Sequence, residues 1–181
     1  LSQISENPES RIERLSLVTT AAVSILPNPA RQLSKDWHGA IHDRLTQQAR
    51  TQPGQFAIID PWGKWTYETL DLCSNRLANY FRSGEIQSED IVAIFGHRSA
   101  ALVCGILGVL KAGAAFLILD PAYPASRLLD CIQQAEPRGW LQLEAAGPLP
   151  DPVKQFAETL PSNRRLEVRR SRPRIIETVR K

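Results

Sequence analysis

An α/β fold with a mostly parallel sheet and flanking helices is what this sequence predicts, and three observations carry it. Two short runs, Ile91-Val92-Ala93-Ile94-Phe95 and Ala114-Ala115-Phe116-Leu117-Ile118-Leu119, have no polar face, as expected of strands inside a parallel sheet. Between them, Ser99 to Ala112 is almost wholly apolar, and a helix apolar all round is buried on several sides. Helical and strand patterns alternate on either side of this unit, which points to an open α/β sheet. A strand–helix–strand crossover of this kind runs right-handed.

Taken in order, residues 1–34 are rich in Ser, Asn and Pro, with one apolar stretch around Leu15, Leu17 and Val18. They read as a linker with a short docking segment. A helix is predicted from Trp37, with Trp37, Ile41, Leu45 and Ala49 forming one stripe, and Pro53-Gly54 ends it. Phe56–Asp60 is a short β run, Pro61-Trp62-Gly63 has turn chemistry, and Lys64-Trp65-Thr66 can pair back on it. Thr66 can cap the next helix. There Leu70, Cys73, Leu77 and Phe81 make the apolar stripe and Gly84 the stop. Gly96 and Gly113 bracket the central helix. Pro124 suits the first position of a further helix, having no N–H to lose, and that helix carries Leu128, Leu129 and Ile132. Trp140-Leu141-Gln142-Leu143 reads as a third parallel strand and Pro148 to Leu160 as a last short helix. Ile94, Phe95, Ile106, Leu110, Phe116 and Ile118 are the expected core.

The 181 residues are 43% hydrophobic and 23% charged, which excludes disordered, collagen-like and coiled-coil chains. No apolar run approaches the roughly twenty residues of a membrane span, and the first residues lack the pattern of a signal peptide. Three widely spaced cysteines, Cys73, Cys104 and Cys131, fit reduced thiols in a cytoplasmic protein. The chain has no Met and begins with Leu, which leads one to expect a piece of a longer polypeptide. Net charge is +3, but eight basic residues, Arg164, Arg165, Arg169, Arg170, Arg172, Arg174, Arg180 and Lys181, face only Glu167 and Glu177 after position 160. Residues 161–181 are therefore expected to form a basic tail without stable packing. No aromatic residue follows Phe156, so the tail offers nothing for bases to stack on. Neither nucleic acid nor membrane is expected as a partner.

Catalytic signatures are missing. There is no GxxxxGK[ST], GxGxxG, HExxH, CxxC or GxSxG. His38 and His42 are four apart, as helical metal ligands can be, but no further ligand completes a zinc pattern. A solvated helix face is the plainer reading. His97 and Arg98 follow a strand end, where α/β enzymes place functional groups. They could position an anion, or simply cap the turn. The cysteines fall on apolar helix faces and read as small core residues.

Two stretches carry a resemblance. Trp65-Thr66-Tyr67-Glu68-Thr69-Leu70 resembles the LTYxEL motif that opens adenylation domains of nonribosomal peptide synthetases. Leu110-Lys111-Ala112-Gly113-Ala114-Ala115-Phe116-Leu117-Ile118-Leu119-Asp120 resembles their second motif, LKAGxAYLPLD, with Ile118 where the pattern commonly has Pro. It continues as Pro121-Ala122-Tyr123-Pro124-Ala125-Ser126-Arg127-Leu128, similar to DPxYPxxRL. Asn7-Pro8-Glu9 followed by Leu15-Ser16-Leu17-Val18-Thr19 resembles the linker that joins a condensation domain to an adenylation domain. The likeness covers roughly residues 5–160 and extends to the wider superfamily of acyl-CoA ligases and luciferases.

The resemblance implies three parts: an interdomain-type linker over 1–34, a partial adenylation domain over 35–160, and the basic tail over 161–181. The fold would be the incomplete N-terminal subdomain of an AMP-forming, adenylate-forming enzyme. Its parent would make an acyl adenylate from ATP, with Mg, and an amino or other carboxylic acid. It would then load the phosphopantetheine thiol of a carrier protein, with a condensation domain preceding it. The family's Ser/Thr/Gly-rich phosphate loop follows the second motif after a further strand, and here Arg169-Arg170-Ser171-Arg172-Pro173-Arg174 stands in that region. No catalytic, cofactor-binding or metal-binding residue is therefore assigned, and the chain alone is expected to be inactive. The alternatives are a split enzyme whose active site a separate downstream chain completes and a binding module that uses the tail.

Overall fold

The computed structural model describes residues 5, 7–9, 11, 18–23, 25–28, 30–32, 35–169 and 172–177. The chain falls into two units, residues 1–38 and 39–181. In the first, the described residues include one short helix, α1 (Thr20–Val23), whose Ala22 N–H donates to the Thr19 hydroxyl at 3.2 Å. Leu15 and Leu17 lie outside the described residues, and Val18 is exposed.

The second unit opens with α2 (Ile41–Thr51). It starts later than the sequence predicts, because Gly39 at φ +88° turns the chain just before it. Trp37 and Ile41 are 83% and 67% exposed. The face turned inward is His42, Leu45, Thr46 and Ala49, with Leu45 against the core. The predicted hairpin forms from β1 (Phe56–Asp60) and β2 (Gly63–Thr66). Thr66 caps α3 (Tyr67–Ser83), its hydroxyl accepting from the Thr69 N–H at 3.1 Å. The stripe Leu70, Cys73, Leu77 and Phe81 is buried as expected.

The strand–helix–strand unit is β3 (Ile91–Phe95), α4 (Ala100–Ala112) and β4 (Ala115–Leu119). Ser99 caps α4, and Gly113 at φ +85° ends it in the left-handed turn that a Cβ would penalise. After β4 come α5 (Ala125–Ala135), with Pro124 at its cap position rather than inside it, β5 (Gly139–Leu143) and α6 (Asp151–Thr159). The main sheet has the order β4-β3-β5-β6-β7. β4, β3, β5 and β6 run parallel, and β7 is antiparallel to β6.

Residues predicted as a loose tail thus carry two strands, β6 (Ser162–Arg169) and β7 (Arg172–Glu177). The charge count hid an alternation. Leu166 and Val168 are two apart, the strand period, and Leu166 is fully buried. Backbone pairing to β5 does not depend on the charge of side chains along the strand.

Each face of the sheet has its own core. Val92, Ile94, Leu141 and Leu143 pack with α3, α4 and the hairpin. Ala93, Phe95, Leu119 and Trp140 pack with α5 and α6, and the Phe95 and Trp140 rings stack at 6.3 Å. Of the predicted core, Ile94 and Phe95 are buried, Ile106 and Leu110 are half-buried, and Phe116 and Ile118 are 40% and 42% exposed. These last two fail because β4 lies at the sheet edge. Only one neighbouring strand shields them, so an apolar pattern alone overstates their burial.

Candidate functional site

The carboxyl ends of β3 and β4 meet where α/β folds place ligands. Gly96 N–H donates to the Leu119 carbonyl at 3.1 Å and joins the two ends. A Cβ on Gly96 would lie 2.3 Å from Leu143 Cδ1, so only glycine permits this close approach. His97 Nδ1 stands 3.5 Å from Asp120 Oδ1, with both side chains about half exposed. Asp120 Oδ1 also accepts from the Ala122 N–H at 2.9 Å, and its carbonyl accepts from the Tyr123 N–H at 3.0 Å. The Arg127 guanidinium lies 4.4 Å over the Tyr123 ring. The DPxYPxxRL-like segment is thereby a self-braced turn into α5.

His97 meets a charged group across the fold. Its partner, Asp120, carries in the sequence only the signal of a strand terminator. His38 and His42 do not share a helix face, because α2 begins at Ile41, beyond Gly39. His42 has its neighbour Asp43 at 3.9 Å. Among the described residues, no group of three or more His, Cys, Asp or Glu could hold a metal ion.

Sequence reasoning missed Asp60. Its Oδ1 accepts from the N–H groups of Trp62 and Gly63 at 3.0 and 2.9 Å and shapes the hairpin turn. Its Oδ2 accepts from the Ala100 N–H at 2.9 Å, at the positive end of α4. Ser99 Oγ takes the Leu102 N–H at 3.2 Å. A cavity of ≈180 Å³ opens beside this junction, lined by Asp60, Trp62, Trp65, Ser99, Leu143 and Leu166 among others. Its walls are mainly apolar. A phosphate would need free amides at the α4 N-terminus, but the Asp60 carboxylate already takes that of Ala100 and the Ser99 hydroxyl that of Leu102, and the carboxylate would repel a further anion. The residues present therefore do not fit the phosphates of ATP at this helix.

A second missed group is Lys111, the one charged residue of α4. Its Nζ donates to Asp71 Oδ1 at 2.6 Å, to Ser74 Oγ at 2.8 Å and to Asn75 Oδ1 at 2.8 Å. Thr46 Oγ1 donates to the same Asp71 oxygen at 2.7 Å, and Arg82 donates to the Lys111 carbonyl. The Lys111 and Asp71 side chains are 8% and 14% exposed. Burial by itself would raise the Asp71 carboxyl, but hydrogen bonds from Lys111 and Thr46 and the lysine charge bring it below the ordinary carboxylate value. One part-buried ion pair so ties α2, α3 and α4 together. A lone lysine in an apolar helix was the available signal.

Comparison with known proteins places this geometry. The family model for AMP-binding enzymes matches residues 45–177, and the chain belongs to that family. L-2-aminoadipate reductase large subunit of Eremothecium gossypii is 32% identical over 163 residues, covering 86% of this chain and 12% of that protein. A linear gramicidin synthase protein of Brevibacillus parabrevis is 37% identical over 132 residues, covering 71% of this chain and 2% of that protein. Among solved structures, IdnL1 superposes with a TM-score of 0.59 at 22% identity, over 76% of this chain and 26% of that one. The chain spans about an eighth or less of the curated relatives named here. It corresponds to an N-terminal segment of an acyl-adenylate-forming domain.

Proposed function

We propose that this chain supplies the first part of an adenylation domain whose complete form activates an amino acid or another carboxylic acid. The complete domain would join the acid to the α-phosphate of ATP, with Mg, release pyrophosphate, and pass the acyl group to a carrier protein's phosphopantetheine thiol. Residues 1–34 would link it to a preceding condensation domain, and the reaction belongs in the cytoplasm. The observation that carries this reading is the segment 110–128. The motif that resembles the synthetase family folds as helix end, glycine stop, edge strand and braced turn, and it falls inside the family match.

On this reading the segment contributes scaffold, and no residue here touches the reacting atoms. The Asp60 carboxylate, seated on the α4 N-terminus, holds the hairpin against the sheet. His97 and Asp120 fix the ends of β3 and β4. Transition-state charge would be met by groups outside this segment.

Pyrophosphate exchange tests the proposal. The purified 181-residue chain is expected to give no acid-dependent exchange into ATP. The same chain fused to the segment that follows the matched region in the linear gramicidin synthase protein is expected to give exchange. Activity of the chain alone would overturn its assignment as scaffold. A folded but inactive fusion would count against the adenylation reading.

A further inference from the structure

One surface is left open by a pattern that elsewhere is closed. β4 is the edge strand of the sheet, and among the described residues nothing pairs with its outer edge. Its sequence, Ala115-Phe116-Leu117-Ile118-Leu119, has no charge, proline or bulge to protect that edge, which isolated proteins normally provide. Phe116 and Ile118 lie in register with Val92 and Ile94. They therefore share the sheet face that packs on α3 and α4, yet they are 40% and 42% exposed. On α4, which packs against β4, Val103 is 38% exposed. Ile106 and Leu110 continue from it at helical spacing and are half-buried.

We propose that this face, the outer edge of β4 with Phe116 and Ile118 and the Val103–Ile106–Leu110 stripe of α4, is where the remainder of the adenylation domain docks. The inference rests on the reading given above and adds the place of contact. The occupant is chosen by extent. This chain covers only 26% of IdnL1 and 33% of VinN, which superposes with a TM-score of 0.60. Most of each such chain thus lies outside the matched part and is available to cover it. The open edge is suited to backbone pairing with an added strand, and the apolar side chains beside it are suited to an apolar covering layer. A membrane is a poorer occupant, since an unpaired strand edge has no satisfied partner in hydrocarbon.

Sedimentation of the full chain, with and without the separately produced following segment of the linear gramicidin synthase protein, tests the proposal. The chain is run as wild type, Phe116→Asp and Ile118→Asp, with circular dichroism as the fold control. A complex with wild type, weakened at least tenfold by either folded variant, supports the face. A complex that the variants leave unchanged overturns the face and leaves the adenylation reading standing. Failure of the wild type to bind, or a homodimer that the same variants abolish, overturns it as well. A variant-sensitive complex that makes no acyl adenylate keeps the face and removes the adenylation reading. Val103→Asp, on a different element, is the second variant should either strand substitution fail to fold.

Discussion

The two sides of α4 have similar sequence and different surroundings. Toward α3 and the sheet the helix is closed. A Cβ on Gly108 would lie 2.7 Å from Leu77 Cδ2, and one on Gly105 would lie 2.9 Å from Leu141 Cδ2. At the helix end the Lys111 ammonium is held by three side chains of α3. On the other side, Val103 and the adjoining strand residues Phe116 and Ile118 stand open. An apolar residue thus reports that a position is covered in some complete assembly. It does not report whether the covering element lies within these residues.

If the closed side is held by the part-buried pair, breaking that pair should give the largest loss. Lys111→Met leaves the part-buried Asp71 carboxylate without its cation, and losing a hydrogen bond to a charged group costs on the order of 1.5–3 kcal/mol. Urea unfolding should show the midpoint fall accordingly. The double variant Lys111→Met with Asp71→Leu should recover a large part of the loss, because the stranded charge is gone. A single variant within about 0.5 kcal/mol of wild type would mean the knot is ornamental and the two sides differ only in packing.

The close helix contact is the next test. Gly108→Ala adds a methyl against three atoms of Leu77, all within 2.9 Å. Overpacking of this kind costs roughly 1–3 kcal/mol, offset by about 0.5–1 kcal/mol from the better helix propensity of alanine. A net loss is expected in the same unfolding measurement. A gain would show that α3 and α4 can separate freely, and the contrast between the sides would weaken.

Acid sharpens the same comparison. The Asp71 carboxyl is held below its ordinary value of 3.8 in the fold, so the unfolded chain takes up this proton first as pH falls. Its contribution to stability is therefore complete above the ordinary carboxylate range and lost as pH drops through the lower, folded value. Thermal unfolding below about pH 4 should be steeper in pH for wild type than for the double variant at Lys111 and Asp71. Equal slopes would remove Asp71 from the account.

Much of this was legible before any coordinates. The helix–strand order from Phe56 to Leu143, the cap at Thr66 and the stop at Gly113 follow from local chemistry, which acts within a few residues. What stayed hidden depends on pairing across the chain. Asp60 reaches Ala100 forty residues on, and Lys111 reaches Asp71 over the same separation. No local pattern marks either pair. The hairpin from Ser162 was masked for another reason: its arginines dominate the composition, whereas its place in the sheet is set by backbone pairing and Leu166.

The open side should give the smallest effect, and that is its diagnostic value. Phe116 and Ile118 keep 40% and 42% of their surface in solvent, so replacing either with Asp removes only part of a side chain's burial. Aspartate is disfavoured in strands, on a scale that spans about 1 kcal/mol. At an exposed edge, however, a charge also discourages unwanted strand pairing. The two effects oppose each other, and the isolated chain should change by no more than about 1 kcal/mol in urea unfolding. A loss of several kcal/mol from Phe116→Asp would mean that the residue is packed within this chain after all. The two sides of α4 would then be alike, and the docking face would have to be sought elsewhere, beginning with the apolar cavity beside Trp62 and Trp65.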